Sequence, residues 1–382
     1  VRDFATFIKV AGMLIRIDHA GSGDMDVEQE PIKDDRKDIF IEYLINVKGI
    51  QKEQCRLRPF QEKFKDMENL VIVADTGLGK TGLATLWSKR KMFYVLPNRT
   101  SNNAMYDTMK KIFGENNVGL LHSTALYYIL EKEKATEDIL KNHDSTEALA
   151  KPVTICTADQ LFTAVFKYPT YEKIYATLAY SDVIIDEIQA FEPMQIVPML
   201  KQIEETVNLG TRYLIITATL PEIVKKKFEE IGFTVITDDE DTKDKTKRHN
   251  VKVLDENIFS ASEKVIEKAK DGKNVLVIVN KVSNAQKLYK LLKYSYANTK
   301  LLHSRFIWKD RKEKEKQIIA DYKKDKGVIW VSTQLIEASL DVDFDVLFTE
   351  LSPADSLVQR MGRVWRHRNE NYEGEENIYI YK

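Results

Sequence analysis

Residues Ala74-Asp75-Thr76-Gly77-Leu78-Gly79-Lys80-Thr81 follow an apolar run, Leu70–Val73, and precede a helix-like segment, Gly82–Lys91. Strand, tight glycine loop and helix in that order make a cradle for phosphate. Backbone N–H groups of the loop and of the helix N-terminus point at the anion, and the macrodipole adds a partial positive charge. In such a cradle Thr76, Gly77, Leu78 and Gly79 wrap the phosphates. Lys80 reaches the β- and γ-phosphates, and the Thr81 hydroxyl sits on a magnesium ion. Ala74 stands where the usual pattern has its first glycine, and a Cβ fits there only if φ stays negative.

A second constellation is Asp182-Val-Ile-Ile-Asp186-Glu187, a short apolar strand ending in two carboxylates. Alone it reads equally as a strand end with two solvated acids. Beside a phosphate loop, Asp186 is placed to hold the magnesium and Glu187 to orient or deprotonate the attacking water. A third is Gln359-Arg360-Met361-Gly362-Arg363-Val364-Trp365-Arg366. Arginines three apart on one helical turn share a face. A guanidinium supplied from a second domain can stabilise charge developing on a γ-phosphate. The competing reading is a basic surface helix.

The elements that must position these residues alternate along the chain. Apolar strand-like runs occur at Leu70–Ala74, Lys91–Leu96, Val118–His122, Val153–Thr157, Val183–Asp186 and Tyr213–Thr217, with helical stretches such as Ser101–Phe113 and Ala158–Lys167 between them. Such alternation predicts an α/β fold with a parallel sheet. The segment Thr237–Asn250 is polar and highly charged and reads as a linker. A second alternating set follows: Val251–Leu254, Asn274–Val279, Lys300–His303, Val328–Ser332, Val346–Glu350 and Asn377–Tyr381. The expectation is two α/β domains in tandem, each a mostly parallel sheet with helices on both faces, and only the first with a phosphate loop. The insert Leu126–Lys151 reads as helical and solvent-facing. Trp308–Lys326 reads as a Lys-rich helix with a solvated face.

Composition bounds the rest. The chain has 382 residues, 43% hydrophobic and 31% charged, which suits two packed domains. Lys and Arg number 58 against 59 Asp and Glu, so a nucleic-acid partner must rest on local contacts rather than on global charge. No apolar run is long enough for a membrane helix. Cys55 and Cys156 lack zinc spacing and read as buried free thiols of a reducing compartment. The start, Val1-Arg2-Asp3, is no signal peptide, and the chain reads as trimmed.

The order of motifs resembles that of superfamily 2 helicases. They are Arg58-Pro-Phe-Gln61, the phosphate loop, Pro97-Asn-Arg-Thr100, Thr157-Ala-Asp-Gln160, Asp186-Glu-Ile-Gln189, Thr217-Ala-Thr219, Val331-Ser-Thr-Gln334 through Asp341, and Gln359 to Arg366. More narrowly, the runs Leu96–Tyr106, Asp186–Phe191, Leu302–Phe306, Gln334–Asp341 and Ser352–Arg363 look like those of the CRISPR-associated helicase–nuclease of type I systems.

That resemblance implies two RecA-like domains, at 51–240 and 241–382, preceded at 1–50 by the remnant of an HD-type nuclease domain and a linker helix. It implies an ATP-dependent single-stranded DNA translocase or helicase, with ATP and Mg2+ as cofactors, in a prokaryotic cytoplasm. The implied partners are single-stranded DNA and an RNA-guided surveillance complex of Cascade type, with no membrane. Gln61 would read the adenine, Thr217 and Thr219 would couple hydrolysis to strand movement, and Asp341 would lie near the ribose or the domain interface. Gln359, Arg363 and Arg366 would join Lys80, Asp186 and Glu187 in catalysis. Arg99, Thr100, Thr157, Gln160, Ser304 and Thr333 would contact strand phosphates, tracking a backbone without reading sequence. In Ile15–Gly23, Asp18 would match the last metal ligand of the HD site. One carboxylate cannot hold a metal that needs several ligands, so a transition metal and nuclease activity are expected only of a longer form. Gln189 replaces a common His and would hydrogen-bond between domains. The rival readings are a nucleic-acid-stimulated switch ATPase, an RNA helicase without processive unwinding and, more remotely, a nucleotide kinase or transporter ATPase.

Overall fold

The computed structural model describes residues 2–75, 78–132, 136–243, 246–324, 326–337, 340, 342–366, 368 and 370–382. Thr76, Gly77 and Asp341 of the expected site lie outside the described residues. The chain divides into two compact units, Val1–Asp244 and Lys245–Lys382.

The first unit is built on seven strands: β1 Leu70–Val73, β2 Lys91–Leu96, β3 Val118–Leu121, β4 Val153–Thr157, β5 Ser181–Asp186, β6 Arg212–Thr217 and β7 Thr234–Ile236. Their spatial order is β3-β4-β2-β5-β6-β1-β7, and every neighbouring pair is parallel. The strands are continuous apolar runs because both faces are covered. Successive side chains show it: Leu70 and Ile72 enter one core and Val71 the other.

The second unit repeats the plan with β8 Val251–Leu254, β9 Val275–Ile278, β10 Thr299–Leu302, β11 Ile329–Ser332, β12 Val346–Glu350 and β13 Ile378–Tyr381. Its order is β10-β11-β9-β12-β13-β8, again all parallel. Val275 and Val277 face one core while Leu276 and Ile278 face the other. The expected α/β architecture of two tandem RecA-like sheets is what forms.

Several local expectations are corrected. The helix after the phosphate loop begins at Lys80 and ends at Trp87, whose indole N–H donates to the Met67 carbonyl at 2.5 Å. Ala158–Lys167 is not one helix but Asp159–Phe162 followed by a 3-10 turn, Thr163–Phe166. The charged run after Thr237 is no simple linker: its 3-10 turn Glu240–Thr242 folds onto the first unit, where the Thr242 carbonyl accepts the Asp75 N–H at 3.0 Å. The 126–151 insert is not wholly solvent-facing. The helix Ala125–Lys132 buries Ala125, Tyr128 and Ile129. Lys151 is buried too, its Nζ donating to Asn116 O at 2.7 Å and Asn142 Oδ1 at 2.6 Å. Cys156 is buried, Cys55 only partly.

The N-terminal helix Arg2–Ser22 lies against Tyr171–Leu178 of the first unit. A Cβ on Gly12 would stand 2.1 Å from the Glu172 carbonyl oxygen, so only glycine allows this approach. Ile8 is fully buried there, and Arg16 forms an ion pair with Glu28 at 2.6 Å. The outward stripe of the helix, Phe4, Phe7, Val10, Leu14 and Ile17, is exposed.

Candidate nucleotide and nucleic-acid sites

In a parallel sheet with crossover helices, the loops at the carboxyl ends of the strands form the natural binding edge. In the first unit that edge carries the phosphate loop. Strand β1 runs straight into Ala74, whose N–H donates to the Thr217 carbonyl at 2.9 Å. Ala74 is not among the residues of positive φ, which is the condition for a Cβ at this place. Gly79 has φ 88° and caps the helix that Lys80 and Thr81 open. Only glycine takes that conformation without strain.

Lys80 is more buried than a loop-to-helix position suggests, its side chain only 12% exposed. Its Nζ lies 3.5 Å from Glu187 Oε1 and finds no hydrogen-bond acceptor among the described residues. Asp186 ends β5, 8% exposed. Tyr94 on the adjacent β2 donates its hydroxyl to Asp186 Oδ2 at 2.8 Å, while the buried Oδ1 has no donor among the described residues. Burial, then the neighbouring Glu187 charge, pushes the Asp186 carboxyl up to about 6 against the pull of Lys80. Glu187 sits in the left-handed region, φ 58°, where its N–H still reaches Ile216 O at 2.8 Å. This bend turns the chain off the strand with the carboxylate at its end.

Gln189 donates to Glu187 Oε2 at 2.6 Å, and its carbonyl oxygen takes the Thr217 hydroxyl. Thr217 Oγ1 is also 2.6 Å from the Thr219 carbonyl. Lys80, Asp186, Glu187, Thr217 and Thr219 therefore form one connected cluster. Gln189 thus bonds to Glu187 and Thr217 of its own unit. Gln61 is 3% exposed and braces the phosphate loop. Its Oε1 accepts the Arg58 N–H at 3.0 Å and its Nε2 donates to Gly79 O at 3.1 Å. A Cβ on Gly79 would come within 2.8 Å of that nitrogen. Leu78 packs against the core beneath the loop, and Thr81 lies half-buried in the first helical turn.

The arginine segment of the second unit differs from expectation. The helix Ala354–Met361 carries Gln359, half-buried, and stops at Gly362, so Arg360, Arg363 and Arg366 do not share one helical turn. Arg360 is fully buried. It donates to Glu337 Oε1 at 2.7 Å, Thr349 Oγ1 at 2.8 Å, Glu350 O at 3.0 Å and Asn280 Oδ1 at 2.8 Å. Arg363, 7% exposed, donates to Leu340 O at 2.6 Å and to Glu337 O. Both thus hold Glu337, and Arg363 also holds Leu340, within their own unit. Arg366 is only half-buried, and its backbone N–H is fixed by Asp343 Oδ1 at 2.8 Å.

The expected strand contacts fall on the same edges. Arg99 and Thr100 begin the helix after β2; Thr157 ends β4 and Gln160 follows it, and β4 pairs with β2 so that Leu96 faces Thr157. Gln160 donates to its neighbour Asp159 at 2.6 Å. Ser304 and Thr333 follow β10 and β11, which pair so that Leu302 faces Ser332. Ser304 is exposed; Thr333 is 3% exposed. Asp18 and His19 are both exposed on the N-terminal helix. No group of three or more His, Cys, Asp or Glu poised around a metal occurs among the described residues. No described helix is long and apolar enough to cross a membrane.

The sequence reading missed the turn after β3, His122-Ser123-Thr124, although a signal was present. Leu120-Leu121-His122-Ser123 recurs as Leu301-Leu302-His303-Ser304.

Comparison with known proteins agrees with this geometry. The DEAD/DEAH box helicase profile matches residues 58–227, and that of the C-terminal part of the CRISPR-associated nuclease/helicase Cas3 matches 271–369. The CRISPR-associated nuclease/helicase Cas3 of Methanothermobacter thermautotrophicus is 30% identical over 99% of this chain and 47% of its own length. The putative homologue in Methanocaldococcus jannaschii is 29% identical over 82% of this chain and 47% of its own. The chain thus spans about half the length of these relatives. Among solved structures, T. fusca Cas3 superposes with TM-score 0.75 at 21% identity, covering 94% of this chain and 48% of that one. The DEAD-box protein Mss116p bound to ssRNA and AMP-PNP gives 0.61 at 18% identity, covering 89% and 74%. Matched along almost its whole length by Cas3 proteins, and folded as two tandem RecA-like units, the chain belongs to the CRISPR-associated Cas3 helicase family.

Proposed function

We propose that the chain is the motor of an ATP-dependent single-stranded DNA translocase or helicase in CRISPR interference. The observation that carries the reading is the Lys80–Asp186–Glu187 cluster, with two buried polar atoms lacking hydrogen-bond partners among the described residues. Leaving such groups buried and unpaired costs roughly 1–3 kcal/mol each, which a polyanion and its cation would offset. Lys80 Nζ would leave Glu187 for the γ-phosphate of ATP. Asp186 and Thr81 fit a magnesium ion, which supplies charge neutralisation on the phosphates. Glu187 would take a proton from water as its oxygen attacks the γ-phosphorus; the bond to the β-phosphate oxygen breaks, leaving ADP and phosphate. Gln189, bonded to Glu187, and Thr217, bonded to Gln189, would carry that change to Thr219. Arg366 is the candidate finger, with Gln359 on the neighbouring helix.

Strand phosphates would run over Arg99, Thr100, Thr157 and Gln160 in one unit and over Ser304 and Thr333 in the other. The exposed apolar stripe of the first helix supports a preceding domain packed there, which we read as an HD nuclease domain whose metal set Asp18 would complete. Association with an RNA-guided surveillance complex belongs to the same reading. The test is phosphate release by the chain alone, with single-stranded DNA, and with single-stranded RNA. Stimulation by DNA is expected. Stimulation by RNA alone would turn the reading to an RNA helicase, and stimulation by neither to a switch ATPase.

A further inference from the structure

The two sheets carry one turn twice. In the first, β2, a helix, β3 and β4 follow in sequence and lie in the order β3-β4-β2; in the second, β9, a helix, β10 and β11 lie in the order β10-β11-β9. At the end of each edge strand stands Leu-Leu-His-Ser, at 120–123 and at 301–304. The local geometry matches as well. The Thr124 N–H donates to His122 Nδ1 at 3.2 Å, and the Arg305 N–H donates to His303 Nδ1 at 3.2 Å. Each ring is buried, 5% and 3% exposed, while Ser123 and Ser304 beside them are exposed.

The far side of each ring meets a carboxamide on the helix leading into its strand. Asn103 Oδ1 is 2.8 Å from His122 Nε2, on the helix Arg99–Phe113. Gln286 Nε2, on the helix Val282–Ser295, is 3.3 Å from His303 Nε2. Phe306 stacks on the His303 ring at 4.2 Å. Each turn also stands beside a threonine expected to touch phosphate, Thr157 at the end of β4 and Thr333 after β11.

We infer that His122 and His303 are positioning residues that set two equivalent strand-holding turns, one per unit, and that Ser123 is the first unit's counterpart of Ser304. The ligand class is the phosphodiester backbone of a single strand, and the inference rests on the function proposed above. The chemistry suits the role. A neutral imidazole with Nδ1 accepting an N–H closes the turn behind the serine, fixing serine hydroxyl and amides as neutral donors. Such donors hold a backbone without reading bases. Burial lowers both imidazoles, His122 to about 4 with Arg99 adding to the effect and Asp159 opposing it, and His303 with Arg305 and Lys314 adding. Both rings are therefore neutral at neutral pH.

The experiment is anisotropy of a labelled oligo-dT with the full chain, together with ATP turnover against oligonucleotide concentration. The variants are His122→Ala, His303→Ala, His122→Asn, His303→Asn, Ser123→Ala and Ser304→Ala. Asparagine places an oxygen where Nδ1 stands and can accept the same N–H two residues on. Each His→Ala should raise the KM for the strand roughly five- to tenfold with kcat little changed, the loss expected for one or two hydrogen bonds. His→Asn should recover most of it, and Ser123→Ala should weaken binding as much as Ser304→Ala. Should an alanine variant fail to fold, the Asn and Ser variants carry the test. His→Asn as damaging as His→Ala, or Ser123→Ala silent beside an impaired Ser304→Ala, overturns the inference while the motor reading stands. A wild-type chain that neither binds nor responds to the oligonucleotide overturns both.

Discussion

At the edge of the first sheet, Lys80 Nζ and Asp186 Oδ1 are buried and make no hydrogen bond among the described residues. At the edge of the second, Arg360 is more deeply buried and makes four. The strands beneath follow one plan, so the fold does not set this difference; the use of charge does. A buried polar group left unpaired weakens a protein, and it persists where a ligand supplies the missing contact. A buried group that is fully paired stabilises and orders its surroundings. The first edge therefore leaves buried charge open to a ligand, and the second spends its buried charge on Glu337 of its own unit.

The comparison is broken most directly at Lys80. Lys80→Ala should lower ATP turnover at least about 10²-fold while leaving the melting temperature unchanged or higher, since its buried ammonium makes no hydrogen bond among the described residues. Glu187→Gln should cut turnover by about the same factor yet still bind nucleotide, because shape is kept and the base removed. Phosphate release and nucleotide titration on both variants check this. Turnover surviving in Lys80→Ala would remove the phosphate-loop reading.

The second largest effect concerns the arginines. Arg366→Ala should slow hydrolysis by up to about 10³-fold with nucleotide affinity kept, if it is the finger. Arg363 holds the Leu340 and Glu337 carbonyls, so Arg363→Ala should show its loss in thermal melting as well as in rate. The rates and melts of the two variants are to be compared side by side. Equal loss of rate without loss of stability in both would make Arg363 a finger too, and the second edge would then be chemical like the first.

How far the sequence shows this contrast depends on the element. The parallel strands read well because covered faces make unbroken apolar runs, as in Val183-Ile-Ile-Asp186 and Val275–Ile278. Strand β7 was lost because three residues, Thr234–Ile236, at an edge carry no usable period. The phosphate loop and its carboxylates were legible because backbone geometry forces their spacing. The arginine segment was misread. Arg360, Arg363 and Arg366 fit a helical period, but the helix ends at Met361, with Gly362 at its C-cap. Nor does a sequence show which charge is paired: Arg360 meets Glu337, 23 residues away, only once the chain has folded.

A smaller effect in the second unit sharpens the other half of the comparison. Arg360→Ala would leave the half-buried Glu337 without its cation, and burial already raises that carboxyl. The expected loss is about 3–5 kcal/mol, the range for breaking a buried pair from one side. Denaturant melts of the second unit's transition measure it. Arg360→Ala with Glu337→Gln should recover part of the loss, since a neutral amide is less costly to bury. A melt unchanged by Arg360→Ala would mean the four bonds hold nothing, and the contrast between the edges would fail.

The smallest effect is also the most discriminating, because it predicts a gain. Asp186 has a folded-state pKa of about 6, above its ordinary 3.8. A raised carboxyl contributes stability below the unfolded value, and that contribution is lost as pH rises through the folded one. Above pH 6 the buried anion therefore opposes folding when no cation is bound. Asp186→Asn removes that cost and keeps an oxygen for the Tyr94 hydroxyl. The variant should be the more stable protein at pH 7.5 by on the order of 3 kcal/mol, and should match the parent below about pH 4. Turnover should vanish at every pH, and added Mg2+ with nucleotide should stabilise the parent more than the variant. Urea melts at the two pH values decide it. A variant weaker than the parent at pH 7.5 would mean that protein contacts already satisfy the carboxylate. The first edge would then be a structural site like the one around Arg360.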